Sequence, residues 1–320
     1  MLLMSFIKSR WIVILACIIL LAIIIGRNLI LSKDQKNKEL ISNWHAPDLQ
    51  KLKDNEEGRR IRYGYDLISH TGKYFGPSGK IASITNGMNC QNCHISAGAI
   101  SFGNCFSAVA ATYPKFRERS GRVESIEFRI NDCLVRSLNG RMIDSTSKEM
   151  QAMVAYLKWL GQSVPTGKKP VGAGLEDLPF LSRAADPGKG QLIFSSRCII
   201  CHGEKGEGKL HVDSGDFIYP PLWGDHSYNT GAGLLRLSRL ASFIKNNMPF
   251  GATHDKPQLS NEEAWDVAAY INTQPRPVKI FAGDWPNLAG KPFDFPFGPY
   301  KDSFSEQQHR FGPFGAMVRK

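Results

Sequence analysis

Two copies of one five-residue motif constrain this chain more than anything else in it. Cys90-Gln91-Asn92-Cys93-His94 and Cys198-Ile199-Ile200-Cys201-His202 both read C-x-x-C-H, the pattern at which haem c is attached. The chemistry needs those residues at that spacing. Two thiols add to the two vinyl groups of a porphyrin, and the adjacent histidine is thereby placed under the iron. With seven cysteines and eight histidines in 320 residues, chance would supply roughly 0.004 copies of the motif. A redox dithiol or a zinc pair would not need the trailing histidine twice. Two covalently bound haems c are therefore expected, one on Cys90, Cys93 and His94 and one on Cys198, Cys201 and His202.

The surroundings of the motif repeat as well, which is the mark of two similar domains. Thr146-x-x-Glu149 and Ser260-x-x-Glu263 read as capping boxes, in which hydroxyl and carboxylate satisfy free N–H groups at a helix start. Each opens an amphipathic helix: Met150, Met153, Val154 and Leu157 recur at i, i+3, i+4, i+7, and Ala264, Val267, Ala268 and Ile271 do so 114 residues later. Tyr156 and Tyr270 share that offset. Shorter helices are expected upstream of each motif, over residues 57–69 and 188–196. This order gives an all-α fold with two cytochrome c-like domains in tandem and an N-terminal membrane segment. The domains are expected at 58–161 (catalytic) and 187–275 (electron transfer). Residues 162–186, rich in Pro and Gly without a sustained period, read as a linker. The tail, 276–320, is too rich in aromatics for disorder, and is expected to wrap over both domains and bury Phe281, Phe293, Phe295 and Phe297.

At the N-terminus Lys8 and Arg10 precede an unbroken apolar run over residues 11–25. As a helix the run spans about 22 Å, short of a hydrocarbon core near 30 Å, and continuation to residue 31 closes the gap. Three readings compete. A retained anchor fits the extended run. A cleaved secretory signal has the same apolar length but lacks a clear A-x-A site. A lipoprotein anchored at Cys17 should turn polar soon after that residue, and the run continues for eight more. All three place the rest of the chain outside the cytoplasm. The expectation is a periplasmic or extracytoplasmic protein held at the inner membrane by residues 11–31, with 1–31 as signal or anchor and 32–57 as a polar tether.

The formal net charge is +11, yet no block of five or six like charges occurs, so nucleic acid is not an expected partner. A diffuse positive field instead suits small anions or an acidic protein.

The sixth ligand decides what each iron can do. Met248 lies 46 residues after His202 and 12 before Ser260, in a loop position that suits a thioether ligand; a core methionine is the competing reading. Lys245 and His254 are nearby rivals, while His45, His70, His211, His226 and His309 read as solvated. The first domain has no equivalent methionine: Met88 lies too close before its motif, and Met142 and Met150 lie near or within the terminal helix. Cys133 stands there instead, 23 residues before Tyr156 as Met248 stands 22 before Tyr270. It reads as a thiolate ligand, as half of a disulfide with Cys105, or as an inert buried thiol.

Residues 113–140, from Tyr113-Pro114 through Arg119, Arg129 and Asn131-Asp132-Cys133 to Ser137 and Gly140, resemble the active-site segment of the dihaem thiosulfate dehydrogenases, the tetrathionate-forming cytochromes. Both haem motifs, the Tyr219-Pro220-Pro221-Leu222-Trp223-Gly224 run, residues 227–233 and 243–251, and Arg276-Pro277 are also similar to that family, so about residues 58–290 are covered. The C-x-x-C-H motifs are generic to cytochromes c; the segment around Cys133 is far more specific. The resemblance implies His94 and Cys133 as axial ligands of the first haem iron and a substrate pocket built from Arg119, Arg129 and Ser137. Some members carry a lysine just before the distal methionine that exchanges with it. Here that residue is Asn247, which favours permanent His202 and Met248 ligation.

The implied chemistry makes physical sense. Thiosulfate is a dianion, and joining two of them with release of two electrons must overcome like-charge repulsion. Arg119 and Arg129 would supply forked donors for the sulfonate oxygens, although arginines are more often solvated. Cys133 would carry a covalent S-sulfonate adduct that a second thiosulfate resolves by attack on sulfur. An external acceptor, a small cytochrome or similar redox protein, would take the electrons. The alternatives are a non-catalytic, membrane-anchored dihaem electron-transfer cytochrome, a Sox-type haem-thiolate subunit acting on a protein-bound cysteine, and a dihaem peroxidase.

Overall fold

The computed structural model describes residues 37–318 together with 21, 25–27, 31 and 35. The apolar run expected as a membrane segment therefore lies almost wholly outside the described residues. Among the described residues no helix is long and apolar enough to cross a membrane.

The first unit is built on α1 (Glu56–Ser69), α2 (Thr71–Phe75), α3 (Ile126–Arg136) and α4 (Lys148–Leu160). The second has α5 (Pro187–Arg197), α6 (Leu237–Asn247) and α7 (Asn261–Thr273). Both upstream helices start where the sequence says they should. Asn55 caps α1 by accepting from Gly58 N–H, and Asp186 caps α5, with Pro187 in the first turn, where a missing N–H costs nothing.

Upstream and terminal helices cross at a glycine in each unit, and the two crossings match closely. A Cβ on Gly64 would lie 2.0 Å from the Ala152 carbonyl oxygen and 2.9 Å from Tyr156 Cβ; on Gly190 it would lie 2.0 Å from the Asp266 carbonyl oxygen and 2.9 Å from Tyr270 Cβ. The shared offset of the two tyrosines thus marks one helix contact used twice. Each crossing closes its own core, Leu67, Phe75, Met150, Met153 and Leu160 in the first unit and Phe194, Leu237, Trp265 and Val267 in the second. Gly190→Ala is expected to cost about 1–3 kcal/mol through overpacking, read as a lower denaturation midpoint with both haems retained. An unchanged midpoint would mean that the crossing yields without cost.

Three local expectations need correction. The box at Ser260 and Glu263 forms in full, but α4 is capped by Ser147 rather than Thr146. Asp144 captures both the Thr146 backbone N–H and its hydroxyl, moving the cap on by one residue, and Glu149 accepts instead from the Tyr63 hydroxyl at 3.1 Å. The fold is mostly helical but not wholly so. Two antiparallel hairpins occur, β1 (Lys115–Arg117) with β2 (Arg122–Glu124) and β3 (Lys209–Leu210) with β4 (Phe217–Tyr219). The stretch before α1 is also less free than its polar composition suggests, because Trp44 is buried in the first core.

The tail binds both units. Phe295, Phe311 and Phe314 are buried, whereas Phe297 stays 39% exposed. Phe293 and Phe314 pack into the second core, and Asp294 accepts from Arg236 at 2.7 Å. Against the first unit, Trp285 N–H donates to the Arg119 carbonyl at 2.7 Å. His309 is not solvated: it is 1% exposed, 2.6 Å from the Phe293 carbonyl through Nδ1 and 3.0 Å from Asp302 through Nε2. His45, His70, His211 and His226 are exposed.

Candidate haem and anion site

The first motif forms a single turn over Cys90–Asn92, with Thr71 Oγ1 accepting from Cys90 N–H at 3.1 Å. His94 then points inward, its Nδ1 2.6 Å from the Asn104 carbonyl and its ring stacked on Phe106. That bond puts the proton on Nδ1 and leaves the Nε2 lone pair for a metal. Burial pushes the imidazole down to about 4, so it is neutral at ordinary pH. The second motif repeats the device: His202 Nδ1 lies 2.9 Å from the Pro220 carbonyl, and burial again lowers the imidazole. Two thiols and one oriented, neutral imidazole in each place form the donor set that a covalent haem requires.

Room for the group is present too. A cavity of about 1400 Å³ between the units is lined by Cys93 of the first motif and by Cys198, Cys201, His202 and Met248 of the second. Met248 caps the end of α6 and lines this cavity together with His202. Of its rivals, Lys245 Nζ donates to the Leu259 carbonyl, and His254, which also lines the cavity, stacks on Phe102 with centroids 3.6 Å apart.

Cys133 sits in the last turn of α3, whose start is capped by Ser125. Burial pushes Cys90 up to about 11 and Cys93 up to about 12, and the charge of Cys133 adds to both. Ile130 and Leu134 of α3 pack in one cluster with Cys90 and Cys93, so Cys133 lies on the helix that covers the first thiol pair. Cys133 and Cys105 are both free, so no disulfide joins them. Cys105 is 7% exposed in the first core, with its sulfur accepting from Ser107 N–H. Met88 and Met150 are core residues, and Met142 is 67% exposed.

One turn before Cys133, Arg129 is held above the usual guanidinium range by its electrostatic interaction with Cys133, against the pull of burial. Its Nη1 donates to Asp132 at 2.5 Å. Arg119 arrives from the turn of the β1–β2 hairpin and is far from solvated. Its side chain is 12% exposed, its Nη1 donates to the Gly231 carbonyl at 2.7 Å, and it faces Trp285 at 5.3 Å. Burial pulls it down to about 10, and Arg136 and Arg129 push in the same direction, which places the three cations in one field. Ser137 follows α3 directly, its N–H donating to the Cys133 carbonyl at 2.8 Å.

The structure thus puts Arg129 and Cys133 on the helix whose Ile130 and Leu134 pack with Cys90 and Cys93, links Arg119 to Arg129 through Asp284, Arg136 and Asp132, and leaves Ser137 directly after that helix. It also recruits residues that the sequence reading passed over. Asp132 accepts from both Arg129 and Arg136, and Asp284 takes Arg136 in a fork at 2.7 and 2.6 Å. Asp132 carried a signal, since it lies three residues after Arg129 and four before Arg136 on one helix. Asp284 carried none, being 148 residues from its partner.

Comparison with known proteins agrees with this geometry. Residues 80–165 match the family model "SoxA/TsdA, cytochrome c domain", and residues 188–275 match "Cytochrome c". The chain is 38% identical over 244 residues to a thiosulfate dehydrogenase of Psychrobacter arcticus, covering 75% of this chain and 71% of that one. It is 39% identical over 237 residues to a thiosulfate dehydrogenase of Allochromatium vinosum, covering 73% and 84%. A solved thiosulfate dehydrogenase (TsdBA) of Marichromatium purpuratum superposes with a TM-score of 0.68 at 32% identity, covering 74% of this chain and half of that longer one. With two haem-ready motifs on one twice-used helix frame and relatives matched across both, the chain belongs to the thiosulfate dehydrogenase family of c-type cytochromes and carries two covalently bound haems c.

Proposed function

We propose that the protein couples two thiosulfate ions to tetrathionate at the Cys133 pocket and passes the electrons to an external redox protein. The observation that carries this reading is the placement of Arg129 and Cys133 one turn apart on α3, the helix that packs over the first haem-attachment pair, with the buried Arg119 joined to Arg129 by a row of alternating charges. A pure electron carrier has no need of buried arginines around a thiol.

His94 and Cys133 would hold the first haem iron, and His202 and Met248 the second. When bound, the two haems supply two one-electron acceptors for the pair released as sulfur is oxidised. Arg119 and Arg129 bind the sulfonate oxygens of thiosulfate through forked N–H donors, and Ser137 offers a hydroxyl to the same group. Their positive field also offsets the repulsion between two dianions. The Cys133 sulfur forms an S–S bond to the outer sulfur of the first thiosulfate, giving Cys133–S–S–SO3⁻ as two electrons leave. A second thiosulfate attacks, through its own outer sulfur, the middle sulfur of that adduct, breaking the bond to Cys133, releasing tetrathionate and returning the Cys133 thiolate. An S-sulfonate on Cys133, the adduct expected above, cannot serve, because it lacks the outer sulfur that a four-sulfur product needs.

The remaining assignments are part of the same reading: catalysis in residues 58–161, electron exit through 187–275, and a periplasmic location with residues 11–31 holding the chain at the inner membrane. Purified protein given thiosulfate and ferricyanide should yield one tetrathionate per two ferricyanides reduced. Arg119→Ala or Arg129→Ala should raise KM roughly 10- to 100-fold, the worth of a hydrogen bond to a charged group. Ferricyanide reduction without tetrathionate would refute the proposal.

A further inference from the structure

The tail lies beyond both family matches, the later of which ends at residue 275, yet it reaches the arginines of the proposed anion site. Five charged side chains form an alternating row there. Arg129 donates to Asp132, Arg136 donates to Asp132 and to Asp284, and Arg119 Nε lies 4.0 Å from Asp284. Arg136 is 8% exposed and stacks on Phe281 of the tail at 3.7 Å. Trp285 adds two further contacts with Arg119: its indole faces the guanidinium at 5.3 Å, and its backbone N–H donates to the Arg119 carbonyl at 2.7 Å. Trp285 does so with φ at +59°, a left-handed conformation that residues other than glycine rarely hold. Its Nε1 is buried without a hydrogen-bond partner.

We propose that the C-terminal tail completes the thiosulfate site, with Asp284 and Trp285 as positioning residues that hold Arg119 directly and Arg129 through Arg136 and Asp132. The physical reason is charge. Three guanidinium groups share two carboxylates, and each carboxylate serves two of them. Without Asp284, Arg136 and Arg119 face one another with no counter-charge between them, and two poorly solvated cations so placed move apart. Arg119 is the freer of the two, because Arg136 keeps Asp132. A substrate dianion would then meet one fixed guanidinium rather than two. Trp285 closes the other face of Arg119, so its loss frees the guanidinium to rotate without changing the charge balance. This inference rests on the reading that Arg119 and Arg129 bind thiosulfate.

The test uses the full-length dihaem protein. Thiosulfate is titrated into electrochemically reduced protein, which has nowhere to send electrons, so the titration reads binding alone; steady-state turnover is measured alongside. Asp284→Asn is expected to raise both Kd and KM at least about tenfold, with kcat within about threefold and both haem potentials unchanged. Asp284→Glu should restore Kd to within about threefold of the starting protein. Trp285→Leu should raise Kd and KM by a smaller factor, and it carries the test if Asp284→Asn fails to assemble with two haems. Unchanged Kd and KM in these variants, with only the unfolding temperature lowered, would overturn the inference and leave the tail a purely structural strap. An equal loss in Asp284→Glu would overturn it too. Thiosulfate binding without tetrathionate formation in the unaltered protein would instead refute the proposed function and leave the positioning role standing.

Discussion

Cys133→Ala is expected to abolish tetrathionate formation, by at least about a thousandfold in kcat, while both haems stay attached. The size follows from the chemistry. In the proposed reaction the Cys133 sulfur is the atom to which the first thiosulfate is joined, so no remaining group could hold the sulfur between the two halves. Arg119 and Arg129 would still bind the dianion, so the variant should lose turnover and keep most of its affinity. Loss of the low-spin thiolate signal from the electron paramagnetic resonance spectrum should accompany the loss of activity, because the sulfur is also proposed to hold the first haem iron. Cys105→Ala is the matching comparison. That thiol is in the first core and in no disulfide, so turnover should stay within about twofold even if packing suffers. Full activity in Cys133→Ala would rule the mechanism out.

The pieces of this site that could be read from the sequence are those encoded locally. The C-x-x-C-H motifs need only five consecutive residues, and the amphipathic stripes of α4 and α7 need one face of one helix. The repeat singled out Cys133, by its distance from Tyr156, and α3 and α6 do precede α4 and α7 in the same order. The match is not exact, since Met248 follows α6 whereas Cys133 lies inside the last turn of α3. What stayed hidden depends on distant contact. Nothing near Asp284 announces Arg136, and nothing near His309 announces the Phe293 carbonyl that keeps it buried. The burial of Arg119 is of the same kind: an arginine in a hairpin turn reads as solvated until the tail and Gly231 are laid against it. The Ser147 cap was lost to a competition between neighbours, because Asp144 takes Thr146 first.

Replacing Cys90 and Cys93 together by alanine is expected to remove one haem per chain and leave the second. Acid-acetone extraction of the unaltered protein should leave all colour with the polypeptide, because thioether bonds survive the treatment. In the double variant half of the haem absorbance should be missing. Each motif carries its own oriented histidine, His94 on the Asn104 carbonyl and His202 on the Pro220 carbonyl, and each unit closes its own helix crossing. The second site should therefore fill without the first. Turnover with thiosulfate should vanish, while reduction by a chemical donor and reoxidation by ferricyanide should persist through the remaining haem. Haem in the organic phase, or loss of both haems, would contradict the assignment.

The most direct test of the account is the fate of sulfur at Cys133 when thiosulfate is limiting. With one equivalent per chain of fully oxidised protein, no second thiosulfate remains to resolve the adduct. Acid quenching and peptide mass mapping should then find one added S2O3 unit on the Cys133 peptide and none on the Cys105 peptide. A chase with more thiosulfate should remove it as tetrathionate appears. Tetrathionate released while Cys133 stays unmodified at limiting thiosulfate would contradict the central claim.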